Sequence, residues 1–309
     1  MFPGQGSQKP GMGRDLAEGY PAARDVFAAA DSALGESLSA LCWEGPAETL
    51  TLTSNAQPAL LTHGAAAWAA IRHVAAPRVR AAAGHSLGEF TAYHATGALT
   101  LEAAVRLVRA RGALMQQAGA ARPGAMAAIL GDLTEPIESI CARAAADPDG
   151  GVVVPANYNS PGQVVVSGEV AGVERAMALC KDVGGRRAMR LAVSGAFHSP
   201  LMQPAASGLA QAIDAAGFAA PAHPVYANVT AAPVHDAATA KRLCLEQLTA
   251  PVRWSEVIQR LAAEFPDALF VEMGPGTVLA GLVRKIAPAV ATAPCGTAAD
   301  VAHLIERLT

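Results

Sequence analysis

Ser86 stands in Gly84-His85-Ser86-Leu87-Gly88, a Gly-x-Ser-x-Gly pentapeptide. The pattern suits a nucleophile elbow, in which a serine rides a tight strand-to-helix turn with strained backbone angles. Small residues two before and two after let the chain pass without clashes. The hydroxyl is raised at a helix N-terminus, and the N–H of the next residue, Leu87, points at a forming oxyanion. A plain Gly-rich turn would spell the same five letters, but here a short extended run precedes the motif and helical sequence follows it.

A serine hydroxyl needs a base before it attacks. His85 adjoins Ser86, but neighbouring side chains diverge on such a turn, so it reads as structural. His63 and His73 lie on an apolar helix and read as core or surface residues. His198 lies in Ser194-Gly195-Ala196-Phe197-His198-Ser199-Pro200, directly after a predicted strand. Loops in that position gather sites in α/β folds. On chemistry alone, His94, His223 and His235 stay in contention with it.

Arg111 bears on what the serine would act upon. At about 100° per residue, it shares a helix face with Ala104, Leu107, Val108, Leu114 and Met115, while Arg106 and Arg109 fall on the opposite, solvated face. An arginine within an apolar stripe is unfavourable unless it meets an anion. That anion is either an Asp or Glu of the protein or a substrate carboxylate gripped by the guanidinium fork. The Gly-rich opening, Phe2 to Gln8, is neither a P-loop nor Gly-x-Gly-x-x-Gly; it offers backbone N–H groups for an oxyanion or is simply a tight loop. Asn157 and Asn159 read as turn formers, and Gly274-Pro275-Gly276 as a strand-to-helix turn.

The elements that must position these groups follow from periodicity. Helical sequence covers 14–42, 57–74, the stretch from Ser86 to about Gly97, and Thr100 to Gly119, with Thr100 as N-cap. A strand is expected at 78–83 and another at 268–273. Between them, strands at 125–130, 152–154, 164–166 and 187–193 alternate with helices near 134–146 and 170–183. That order is the split βαβ, ferredoxin-like arrangement, here an insert of about 70 residues in an α/β layer fold.

At 309 residues the chain is long enough for two such units. With 52% hydrophobic and 16% charged residues it is not a disordered chain. A net charge of -3 without a basic tract speaks against a nucleic-acid partner. No run of about 20 uncharged apolar residues suggests a membrane span, and the first residues lack a signal peptide's basic and apolar regions. The five cysteines are scattered, without a Cys-x-x-Cys pair, and no His-Glu-x-x-His occurs. They read as reduced, buried thiols of a cytoplasmic protein without a metal site.

Several segments together resemble the malonyl-CoA:acyl carrier protein transacylase family, which includes the acyltransferase domains of fatty acid and polyketide synthases. They are Phe2-Pro3-Gly4-Gln5-Gly6-Ser7-Gln8, Asn55-Ala56-Gln57-Pro58, Gly84 to Phe90, Arg111-Gly112 with Met115-Gln116, Pro155 to Gln163, Phe197-His198-Ser199, Gln247 to Trp254 and Gly274-Pro275-Gly276. They occur in family order over nearly the whole chain. The resemblance implies an α/β-hydrolase-like catalytic domain (1–121 and 194–309) with a ferredoxin-like insert (122–193). It implies that His198 pairs with Ser86, that the backbone carbonyl of Gln247 orients His198, and that Gln5 and Leu87 give the oxyanion N–H groups. Arg111 would grip the malonyl carboxylate, with Phe197, Met115 and Asn157 lining the substrate site and Phe197 crowding any α-substituent. Malonyl-CoA would be a substrate, the phosphopantetheine arm of an acyl carrier protein the acceptor, no cofactor would stay bound, and the chain would be monomeric. Family members usually carry a short apolar strand ahead of the Phe-Pro-Gly-Gln-Gly segment. Here that segment starts at residue 2, so Gln5 is expected to be less well held.

Overall fold

Proline and glycine divide the first forty residues. The computed structural model, which describes residues 1–309, breaks the expected continuous helix at 14–42 into Arg14–Gly19, Pro21–Leu34 and Leu38–Glu44. Tyr20 is extended (φ -132°, ψ 112°), as the residue before a proline prefers. Gly35 ends the second helix at φ 67°, a left-handed conformation that glycine adopts at low cost. The apolar helix runs Thr53–Ala75 and contains Pro58. A proline inside a helix strips the carbonyl four residues earlier of its donor. That carbonyl, on Ser54, accepts instead from Arg109 Nη1 at 2.9 Å. Arg109 is therefore half-buried and not on a solvated face, whereas Arg106 is exposed. The helix Leu101–Ala121 does start at the Thr100 cap, whose hydroxyl accepts from the N–H of Ala103 at 3.2 Å.

Nine strands follow in chain order: β1 (Ala82–Ala83), β2 (Ala125–Leu130), β3 (Val153–Ser160), β4 (Gln163–Gly168), β5 (Arg187–Arg190), β6 (Val225–Tyr226), β7 (Pro233–Val234), β8 (Phe270–Glu272) and β9 (Thr292–Pro294). The strand expected at 78–83 is cut to two residues because Pro77 turns Ala76–Arg78 into a 3-10 helix. In the body, β1 pairs in parallel with β6, β6 antiparallel with β7, and β8 in parallel with β9. Met1 and Phe2 close the gap between the two sets. The Met1 amine donates to Val271 O at 2.7 Å, and Met273 N–H donates to Met1 O at 2.8 Å. Phe2 N–H donates to Ala83 O, and His85 N–H to Phe2 O, both at 3.0 Å. Three residues on, Gln5 Nε2 donates to Thr53 Oγ1 at 3.1 Å, which in turn lies 2.9 Å from Ser194 Oγ. Two residues thus seat the loop that leads to Gln5, contrary to the expectation that it is poorly held.

Between the two halves of the body, β2 to β5 form a four-stranded antiparallel sheet in the order β3-β4-β2-β5. Strand β2 is buried on both faces and shows why two cores meet there. Ala125, Ala127 and Ile129 pack into a cluster with Ile140, Val166 and Val173, whereas Met126 and Ala128 join the main core. Alternate side chains of a strand point to opposite faces, so one strand serves both. Val252 joins the sheet to the body: its N–H donates to Ala156 O at 2.8 Å, and Tyr158 N–H donates to its carbonyl at 2.9 Å. The whole is an α/β fold with mixed sheets. Ile129 is 1% exposed, so Ile129→Ala is expected to lower unfolding free energy by about 2–5 kcal/mol in urea denaturation. A loss well under about 1 kcal/mol would mean that this face is not close-packed.

Candidate active site

Crowding makes the elbow. A Cβ on Gly84 would run into the backbone of Gly88, and one on Gly88 into the carbonyl of Phe2. With both positions bare, the chain turns from β1 into the helix Leu87–Ala95 within three residues, and Ser86 takes φ 50°, ψ -107°. Such a backbone is strained for a residue with a Cβ and persists only where the surroundings enforce it. Leu87 is the first helical residue, and its N–H is among those with no partner inside the helix. The Gln5 N–H likewise forms no hydrogen bond in the chain.

His198 is the histidine that reaches Ser86. It sits at φ 57° on the loop after β5, 3% exposed, with Nε2 2.8 Å from Ser86 Oγ. Nδ1 lies 2.9 Å from the carbonyl of Gln247. A carbonyl can only accept, so Nδ1 carries the proton, and Nε2 is left with its lone pair toward the serine hydroxyl. Burial, and secondarily Arg111, push the His198 pKa down to about 3. The alternatives lie elsewhere: His94 Nδ1 is 3.1 Å from Leu99 O, His223 is half-buried away from the elbow, and His235 is exposed. His63 is buried against Gly296 O at 2.9 Å and His73 is exposed. His85 turns away from Ser86 to Asn159 Oδ1 at 2.8 Å and packs on Trp254.

Arg111 is 1% exposed. Nη1 donates to Gln57 Oε1 at 2.8 Å, and Nη2 to Gln247 Oε1 at 2.9 Å and to Ser86 Oγ at 3.3 Å. Nε has no acceptor, and the Phe90 ring lies 5.1 Å from Cζ. No Asp or Glu oxygen comes within 4.0 Å of it (no ion pair forms). The nearest compensation is Glu89, one residue removed: its Oε2 accepts from Gln247 Nε2 at 2.7 Å. Burial raises the Glu89 pKa to about 7, against hydrogen bonds from Asn228 and Gln247 that favour the anion. Burial lowers the Arg111 pKa to about 10, still cationic at neutral pH. A fixed positive fork beside a serine–histidine pair can hold the anionic end of an ester or thioester while the other end is attacked.

Of the remaining expected residues, Phe197 is buried next to His198, and Met115 Sδ accepts from Gln57 Nε2 at 3.4 Å. Asn157 and Asn159 are not in a turn but inside β3. Asn157 is buried beside Val252, and its side chain makes no hydrogen bond to the Ser86 cluster, whereas Asn159 reaches His85. Sequence reasoning passed over Gln57, Glu89 and Asn228. An acid within the buried run Leu87–Tyr93 was a signal for Glu89, and a glutamine in an apolar helix was one for Gln57; nothing local marks Asn228.

The family described as acyl transferase domain matches residues 1–301. The chain belongs to this family. Among curated acyl transferase relatives, the malonyl CoA-acyl carrier protein transacylase of Bacillus subtilis (strain 168) is 46% identical over 286 residues, covering 93% of this chain and 89% of that protein. The acyl-carrier-protein S-malonyltransferase of Bartonella henselae has a crystal structure that superposes with a TM-score of 0.94 at 41% identity, covering 99% of this chain and 98% of that one. A malonyl-transacylase solved in complex with a type II PKS acyl-carrier protein superposes with a TM-score of 0.90 at 40% identity, over 99% and 98% of the two chains. No helix of this acyl transferase is long and apolar enough to cross a membrane.

Because the depressed pKa keeps His198 neutral, and hence able to accept a proton, far below the ordinary histidine range, Ser86 should react with a fluorophosphonate at a nearly constant rate from about pH 8 to about pH 5. A tenfold fall per pH unit beginning near 6.5 would refute the assignment of an unprotonated His198.

Proposed function

We propose that the chain is a malonyl-CoA:acyl carrier protein S-malonyltransferase working through a malonyl ester on Ser86. The observation that carries this reading is the Ser86–His198 pair at 2.8 Å beside a buried guanidinium with no carboxylate partner of its own. His198 Nε2 takes the Ser86 proton as Oγ bonds to the thioester carbon of malonyl-CoA. The oxyanion accepts from the N–H groups of Leu87 and Gln5; losing one such donor typically costs about 10²–10³ in rate. The C–S bond breaks, the CoA sulfur takes the proton back from His198, and malonyl stays on Ser86. The phosphopantetheine thiol of the carrier protein then gives its proton to His198 and attacks the ester, and Ser86 leaves with that proton. This is ping-pong chemistry of proton and acyl transfer, with malonyl-CoA as a substrate.

Arg111 binds the free malonyl carboxylate, and Phe197 and Met115 bound the pocket. Asn157 acts through the placement of β3. The domains are a discontinuous α/β-hydrolase-like body, 1–121 and 194–309, and a ferredoxin-like insert, 122–193. What supports the insert is its strand order and a separate core drawn from residues 125 to 180. We take the enzyme to be a cytoplasmic monomer.

Intact-protein mass after brief incubation with malonyl-CoA is expected to rise by one malonyl group in the wild type and not in Ser86→Ala. Release of CoA with no mass gain would mean transfer to water, as in a thioesterase. Arg111→Ala should lower malonyl transfer by about 10²-fold or more, the effect of removing a charge-assisted bidentate contact of about 3 kcal/mol, while transfer of uncharged acyl groups is retained or rises. Equal losses for malonyl and acetyl would rule out the carboxylate clamp.

A further inference from the structure

Asn228 touches neither the His198 ring nor the Arg111 guanidinium, yet its side chain spans the elbow. Its Oδ1 accepts from Ser86 N–H at 2.7 Å and from Gln247 Nε2 at 3.4 Å, and its Nδ2 donates to Gly84 O at 2.7 Å. One amide thus grips both ends of the strained turn, and its orientation is unambiguous, since one end faces a donor and the other an acceptor. The residue's own backbone is tied as tightly. Its N–H donates to Glu89 Oε2 at 2.9 Å, and its carbonyl accepts from Arg253 N–H at 3.0 Å. Asn228 is 0% exposed. The loop that presents it, between β6 and β7, is itself closed by Ala227 N–H to Ala232 O at 3.1 Å and Ala231 N–H to Ala227 O at 2.9 Å. Ala231 there adopts φ 51°, a further strained residue.

We infer that Asn228 is a positioning residue for the Ser86 reaction: it holds the elbow at the angle that aims Oγ at His198 Nε2. By occupying the Ser86 N–H it also leaves Leu87 N–H as the elbow's free donor. Both effects act on the attack by Ser86 Oγ more than on substrate binding, because Asn228 makes no hydrogen bond to Arg111 and meets the Gln247 side chain only through a long bond, 3.4 Å from Gln247 Nε2 to Asn228 Oδ1. The inference rests on Ser86 being the nucleophile.

The test is single-turnover acylation by malonyl-CoA in wild type, Asn228→Ala and Asn228→Asp, following rate and amplitude separately. Amplitude counts correctly folded sites, and rate reports chemistry at each. The expected rate for Asn228→Ala is about 10²-fold below wild type, the penalty of displacing a reacting group by about 1 Å. Half-saturating malonyl-CoA should stay within about twofold. Asn228→Asp keeps an acceptor for Ser86 N–H but loses the N–H donor to Gly84 O, so its rate per folded site should also fall below that of wild type. Wild-type rates at reduced amplitude would overturn the inference by showing a purely structural residue, as would a change confined to half-saturation. A wild type that takes up no malonyl would overturn the functional reading, and this inference with it.

Discussion

A buried positive charge needs polar company, and Arg111 sets the terms for everything around it. A guanidinium removed from water is tolerated only if its donors are met. Here two glutamine oxygens and one serine oxygen meet those of Nη1 and Nη2, Nε is left without an acceptor, and no carboxylate is in contact. Neutral acceptors satisfy hydrogen bonds without cancelling charge, so the site stays electropositive. Glu89, with its pKa raised to about 7 by burial, offsets part of that charge from behind Gln247 and is too far to cap the fork.

Gln247 is where these demands converge. Its backbone carbonyl fixes the tautomer of His198, its side-chain oxygen holds Arg111, and its amide nitrogen ties Glu89 and the carbonyl of Ser86. Base, fork and elbow are therefore referenced to one residue. Buried networks this heavily paired favour a single arrangement, even with Arg111 Nε and Glu89 Oε1 left without partners. Two of the three non-glycine residues with positive φ, Ser86 and His198, belong to it. Strain at such positions is held by the packing around them.

What could be read beforehand was whatever depends on near neighbours. The elbow shows itself in five letters because its sterics are local: Gly84 and Gly88 have no room for a Cβ. Arg111 shows itself by helical period, and the insert by its order of strands and helices. From chemistry alone His198 could be narrowed only to one of four, since its pairing with Ser86 spans 112 positions; the family resemblance singled it out. Asn228 gave no sign, and the carbonyl of Gln247 gave one only through the family resemblance, because their meaning is a contact and not a residue type. The expected helix at 14–42 is too long because Tyr20 and Gly35 break it, and the expected strand at 78–83 is too long because Pro77 shortens it. Two-residue strands such as β1 and β6 are shorter than any periodicity test can register.

The two hydrogen bonds between Val252 and β3 gear the small sheet to His198. Val252 lies five residues beyond Gln247, along a short, mostly turn-bonded segment. A tilt of the sheet away from the body would pull on that segment and so on the carbonyl that steers His198. The small sheet and the His198 ring thus cannot shift independently: two backbone hydrogen bonds and five residues of chain tie the seat of one to the orientation of the other.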